Sequence, residues 1–248
     1  MARATFRFYE ELNDFLPPER RKTAFDCIFE RRGSIKDMIE ALGVPHPEVE
    51  LILVNGESVG FDYLVRDGDR IAVYPVFESF DVSEHLRVRS QPLRSVRFVL
   101  DTHLGTLARY LRLCGFDTLY RNDYEDAQLA EVSAKEGRIL LTRDRALLKR
   151  RIITHGYCVR NDRPPRQLTE VANRFQLQGL VAPFTRCARC NGPLECVDKA
   201  EVKHALEPLT QRYYTVFRRC TECGHVYWRG GHVAHIEQLI QASLSVNP

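Results

Sequence analysis

Two Cys-x-x-Cys pairs, Cys187 with Cys190 and Cys220 with Cys223, stand 29 residues apart in a chain of 248. Each short loop can turn two thiolates toward one tetrahedral ion, and the chain between them can close back as a β-rich ribbon. The spacing predicts a zinc ribbon over 183–248, with Arg212 to Arg219 and Val226 to Trp228 as its β-rich parts. Four sulfur ligands leave no open position, so this Zn²⁺ is expected to be structural. Cys196 and His225 are spare ligand types nearby that could substitute for a pair member, whereas His204 and His232 have no ligand spacing. Cys27, Cys114 and Cys158 are isolated in apolar or strand-like surroundings, which argues against a disulfide framework. The opening MARATFRFYE has no apolar signal core, and no window approaches the roughly 20 apolar residues of a membrane span. The expectation is a cytoplasmic protein with reduced thiols and no membrane partner.

Composition excludes wholesale disorder and fibrous repeats: 44% of residues are hydrophobic and 28% charged. The net charge of +3 hides an asymmetry. Up to Ser95 there are 13 Lys and Arg against 17 Asp and Glu; from Val96 onward there are 23 against 16. The back of the chain is therefore basic, and basic surface attracts polyanions such as nucleic acid.

Residues 1–80 read as strand, strand, helix, strand, strand. Thr5 to Leu12 and Lys22 to Phe29 alternate; Ser34 to Leu42 has helical spacing with Ser34 as N-cap and Gly43 at the stop. Val49 to Val54 leads into an Asn55-Gly56 turn, and Ile71 to Val76 follows Asp67-Gly68-Asp69. This order resembles a ubiquitin-like β-grasp, and NGESV with RDGDRIAVYPV is similar to the small sulfur carriers of thiamine and molybdopterin synthesis. Those carriers act through a free terminal Gly-Gly. Here Val76, Phe77, Glu78 and Ser79 stand in its place and the chain continues, so carrier chemistry is not expected. Residues 81–95 read as a linker.

Residues 96–182 alternate short apolar runs with helical patterns, which implies a parallel sheet flanked by helices. The strands are Val96 to Leu100, Ile139 to Leu141 and Tyr157 to Val159; the helices run from Leu104 to Gly115, Asp126 to Ala134, Arg145 to Arg151 and Leu168 to Phe175. In such a sheet ligands gather at the carboxyl ends of strands. Asp101 closes VRFVLD, Asp144 closes ILLTRD, Asp162 closes YCVRND, and Asp126 opens a helix. Carboxylates meeting at one edge repel one another unless a cation neutralises them, and oxygen ligands suit Mg²⁺ or Mn²⁺. Such an ion would favour phosphodiester hydrolysis. Turn formation and N-capping explain single aspartates equally well, Asp126 and Asp162 most readily.

The segments FVLDTHLGTLARYLRLCGFDT, DYEDAQLAEVSAKEGRILLTRDRALLKRR, PFTRCARCNGPL and CTECGHVYWRGGH closely resemble the PIN-like ribonuclease family named for the C-terminal domain of the Mut-seven exonuclease. The resemblance covers roughly Val96 to the C-terminus, and the module before it resembles the ubiquitin-like domain often fused to that family. It implies an α/β protein of three parts: a ubiquitin-like β-grasp domain, a PIN-like domain with a parallel sheet, and a zinc ribbon. It implies a metal-dependent ribonuclease in which Asp101, Asp126 and Asp144 hold Mg²⁺ or Mn²⁺ and Asp162 is an optional fourth catalytic carboxylate.

Arg109 and Arg112, three apart on the helix after Asp101, are expected along one polar stripe; Arg143 and Arg145 flank Asp144. These four are the candidate phosphate contacts. Trp228, beside Tyr227 and Arg229, is the candidate for stacking an RNA base. RNA is thus the expected partner, with tRNA or rRNA as candidates. A non-catalytic RNA-binding or ribosome-associated protein is the alternative, and the acidic β-grasp domain could dock a protein partner or the basic nuclease face.

Overall fold

The computed structural model describes residues 1–31, 33–75, 96–228 and 230. The expected linker 81–95, Val76 to Ser79, Arg229 and His232 lie outside the described residues. The described elements form two compact units, Met1–Ser95 with Ala130–Cys158, and Val96–Leu129 with Val159–Pro248.

The first unit opens with β1 (Ala2–Phe8), where Ala4, Phe6 and Phe8 turn inward at alternate positions. Strand β2 (Phe25–Phe29) pairs with it antiparallel. Helix α1 (Ile35–Ala41) buries Ile35 and Ile39, four apart; the Ser34 hydroxyl accepts from the Asp37 amide as its cap, and Gly43 ends it at φ +105°. Strand β3 (Leu51–Val54) turns at Asn55-Gly56, both at positive φ, into β4 (Glu57–Ser58). Strand β5 (Arg70–Tyr74) runs parallel to β1 and completes the order β2-β1-β5-β3-β4. The N-terminal sheet is the ubiquitin-like β-grasp expected from the sequence. One local expectation shifts: β1 stops at Phe8, because a 3-10 helix begins at Glu10. Asn13 pins that helix by donating to the carbonyl oxygens of Phe8 and Glu10.

The middle of the chain carries a parallel sheet flanked by helices. Strands β6 (Phe98–Leu100) and β7 (Thr118–Tyr120) pair in parallel in the second unit. Between them Asp101 caps a 3-10 turn and α2 (Gly105–Leu113) follows, burying Leu107, Ala108 and Leu111. Strand β7 carries no long apolar run and was not expected. Helix α3 (Asp126–Glu136) leads to β8 (Ile139–Thr142), buried throughout, as a strand covered on both faces must be. Short α4 (Arg145–Leu148) connects β8 to β9 (Gly156–Cys158), which pairs with it in parallel in the first unit. Helix α5 (Pro164–Arg174) packs on α2, and Phe98 meets Phe116 and Phe175 edge to face in the core of the second unit.

In the C-terminal part, β10 (Leu194–Val197), β11 (Phe217–Cys220) and β12 (Val226–Trp228) form an antiparallel sheet in that order. Between β10 and β11 lie α6 (Lys199–Val202) and α7 (Pro208–Tyr213). The expected β-rich stretch Arg212 to Arg219 is therefore helical at its start. Pro208 at the first helical position favours this outcome.

Candidate functional site

The four paired cysteines come together as the spacing required. The Sγ atoms of Cys187 and Cys223 are 3.7 Å apart, those of Cys190 and Cys220 3.4 Å, and all four lie within 4.8 Å of one another. A tetrahedron with zinc–sulfur bonds of about 2.3 Å has sulfur–sulfur edges of about 3.8 Å, so the group fits one ion. Close approach here depends on Gly192, where an added Cβ would sit 2.9 Å from the Cys220 Sγ. Burial raises the Cys187 thiol, but hydrogen bonds from Tyr227 and from the Cys190 and Arg189 amides outweigh it and bring the thiol down to about 7. That favours the thiolate a metal needs. Neither spare ligand replaces a pair member: Cys196 is exposed and outside the group, and the His225 ring stands edge-on to Tyr227.

The first cysteine loop is fastened to the sheet by buried polar contacts. Arg112 donates from Nε to the Thr118 carbonyl at 2.9 Å and from Nη1 to the carbonyls of Ala188 and Arg189 at 3.3 and 3.0 Å. Asn191 accepts from the Thr118 amide through Oδ1 and donates to Asp117 through Nδ2. Burial lowers the Arg112 pKa, opposed by nearby Cys187, Cys190, Tyr227 and Asp117. This corrects the reading of Arg112 as a phosphate contact: the side chain faces inward and its donors are spent on main-chain carbonyls. Only Arg109 of that pair is exposed.

Each candidate aspartate sits on a distinct local device. Asp101 directly follows β6, is 7% exposed, and accepts from the Thr102 amide and hydroxyl through Oδ1. Asp144 follows β8 by one residue, is exposed, and caps α4 by accepting from the Ala146 amide at 2.7 Å. Thr142, wholly buried, accepts from the Asp144 amide, which fixes the exit from the strand. Asp126 is the first residue of α3 and exposed. Asp162 lies exposed on the loop before α5, a loop held by Glu170 through the amides of Arg160 and Asn161. Among the described residues the one group of three or more His, Cys, Asp or Glu ligand atoms close enough to share an ion is the cysteine group.

A family model described as the Mut7-C RNAse domain matches residues 96–240, more than half of the sequence. The chain belongs to the Mut7-C RNAse domain family. A second model, described as Mut7-C ubiquitin, matches residues 1–81. The human protein named exonuclease mut-7 homolog is 36% identical over 106 residues, which are 40% of this chain and 12% of that protein, so the chain spans only a small part of that relative's length. No solved structure matches.

The remaining sequence candidates of this Mut7-C chain take different surroundings. Arg143 is exposed beside Asp144, and Arg145 places its guanidinium 4.9 Å from the centre of the Phe15 ring. Trp228 is half-buried, packed against the cluster of Val202, Leu206 and Phe217. It also lines a groove of about 220 Å³ with Pro183, Phe184, Val216, Arg218 and Tyr227. Arg218 donates to the Phe184 carbonyl and so closes one wall of that groove. No helix among the described residues is long and apolar enough to cross a membrane.

Proposed function

We propose that this protein is a metal-dependent ribonuclease that hydrolyses RNA phosphodiester bonds, with tRNA or rRNA as candidate substrates. The observation that carries the reading is the placement of Asp101 and Asp144. Each follows a strand of a parallel pair and caps the helical turn that comes next, so each carboxylate is held at the strand end where ligands gather in such sheets. Membership of an RNAse-domain family supports the same chemistry. Asp101, Asp126 and Asp144 are the proposed holders of Mg²⁺ or Mn²⁺, and Asp162 the proposed fourth catalytic carboxylate. Hard oxygen donors fit such a cation. When bound, it would acidify a water and neutralise phosphate charge.

The chain's own residues then divide the work. Arg109, Arg143 and Arg145 hold flanking phosphates, and Trp228 in the zinc ribbon stacks a base. Zinc at Cys187, Cys190, Cys220 and Cys223 keeps that ribbon folded. The proposed modules are residues 1–80, the linker 81–95, the nuclease domain 96–182 and the ribbon 183–248. The reading is tested with purified protein on single-stranded and structured RNA, with Mg²⁺ or Mn²⁺ and then with excess chelator. Cleavage that needs the metal and disappears in Asp101→Asn/Asp144→Asn is the expected result. Equal behaviour of the variant and the wild type overturns it.

A further inference from the structure

One turn of the ubiquitin-like domain buries two ionisable side chains that carrier chemistry does not use. Glu48 is wholly buried and His46 is 5% exposed, both on the 3-10 turn between α1 and β3. Burying a carboxylate is costly unless it is hydrogen-bonded, so its partner shows what the turn is built to meet. Glu48 Oε1 accepts from the amide of Cys158, 110 residues away, at 2.5 Å. Cys158 ends β9, and β9 is the end strand of its sheet. An end strand presents main-chain amides that water or another chain must satisfy. Here a carboxylate from the ubiquitin-like domain satisfies one of them.

Three more contacts fall on the same stretch, between Asp144 and β9. His46 Nε2 lies 2.7 Å from the carbonyl oxygen of Ile153, which can only accept, so Nε2 carries the donated hydrogen. Its Nδ1 lies 2.6 Å from Glu40 Oε1, and its ring stands edge-on to Phe61, which holds the imidazole in place. Lys149 Nζ donates to the Glu40 carbonyl at 2.7 Å, satisfying an acceptor in the last turn of α1. Arg145 lies over Phe15. The helix that Asp144 caps is thus gripped at both ends, and the loop and strand after it are gripped as well.

We infer that His46 and Glu48 are positioning residues of the nuclease, and that the ubiquitin-like domain braces the segment presenting Asp144. The positioning role rests on the ribonuclease reading above; the brace itself does not. Charge placement agrees with it. Lys149 is spent on the ubiquitin-like domain, while Arg143 and Arg145 stay exposed on either side of Asp144.

The test uses the full chain and follows hydrogen–deuterium exchange by mass spectrometry in Glu48→Ala, Glu48→Gln and His46→Ala. Peptides covering 143–150 and 153–160 are read against 1–8 as an internal control. In Glu48→Ala and His46→Ala the first two should exchange at least fivefold faster while 1–8 is unchanged. Glu48→Gln keeps an acceptor oxygen and should recover most of the protection. On RNA, Glu48→Ala should lower kcat about tenfold and leave KM within twofold, with kcat restored in Glu48→Gln. Unchanged exchange of 143–150 in the folded alanine variants overturns the brace. If Glu48→Ala does not fold, Lys149→Met decides on the same peptides by the same criterion. Faster exchange with no change in kcat overturns the positioning role. A wild-type chain that cleaves no RNA refutes the ribonuclease reading, while the exchange data still decide the brace.

Discussion

Arg112 donates to the main-chain carbonyl of Arg189 at 3.0 Å, joining the helix after Asp101 to the loop between Cys187 and Cys190. With its bonds to Thr118 and Ala188 the guanidinium satisfies three carbonyls in a site closed to water. Arg112→Met keeps the bulk and removes all five donors, stranding those acceptors. The expected loss is about 1–3 kcal/mol of stability, read as a lower denaturation midpoint. Because the same contacts hold the cysteine loop, zinc transfer to a colorimetric chelator should also speed up. Arg109→Met should change neither.

The aspartate substitutions separate chemistry from folding because asparagine caps helices nearly as well as aspartate. Asp144→Asn keeps an oxygen for the Ala146 amide, and Asp101→Asn keeps one for Thr102. Both should melt within a degree or two of the wild type. RNA cleavage in Mg²⁺ should nevertheless fall by on the order of 10²-fold or more, the scale on which removal of a positioned electrostatic group is felt. Asp144→Ala should lose about 1 kcal/mol in addition, because its cap is gone. Cleavage and melting curves on the same preparations check all three.

What could be read from the sequence was local. The cysteine pairs, the Ser34 cap, the Asn55-Gly56 hairpin and the aspartates at strand ends each depend on a few neighbouring residues, and each is found where the spacing put it. The inward turn of Arg112 left one faint signal. It follows Ala108 by four positions and so borders the buried stripe of α2, although a charged residue there ordinarily reads as surface. The roles of His46 and Glu48 left none. PHPEVE has the composition of a polar loop, and their partners lie 107 and 110 residues further along. Contacts of that range come from the assembled fold.

Cys114, at the end of α2, ties its thiol to the pH dependence of folding. It is 1% exposed, and burial pushes it up from 9.0 to about 12. A raised acid stays neutral in the folded chain while the unfolded chain ionises, so its contribution is complete below pH 9 and lost as pH rises toward 12. Between pH 9 and 11 the wild type should lose stability from this thiol at a rate that climbs toward about 1.4 kcal/mol per pH unit. Cys114→Ala should show a shallower decline over that interval and no difference in slope between pH 7 and 8. Urea denaturation at the four pH values checks the sign.

Trp228 is the single tryptophan of the chain, so its fluorescence reports on one place. The indole packs on Val202, Leu206 and Phe217 and also borders the groove closed by Arg218 and Phe184. A base stacked there would quench the indole, and stacking on an aromatic ring contributes about 1–3 kcal/mol per base. Titration with a single-stranded oligonucleotide should therefore quench the emission in a saturable way. Trp228→Leu should weaken binding of the same oligonucleotide by fivefold or more when followed by anisotropy of a labelled strand. Arg218→Gln should give a smaller loss and a weaker dependence on salt, since it removes one cation beside the groove. If the oligonucleotide binds with full affinity to Trp228→Leu and leaves the wild-type emission untouched, the indole serves the core of the ribbon alone.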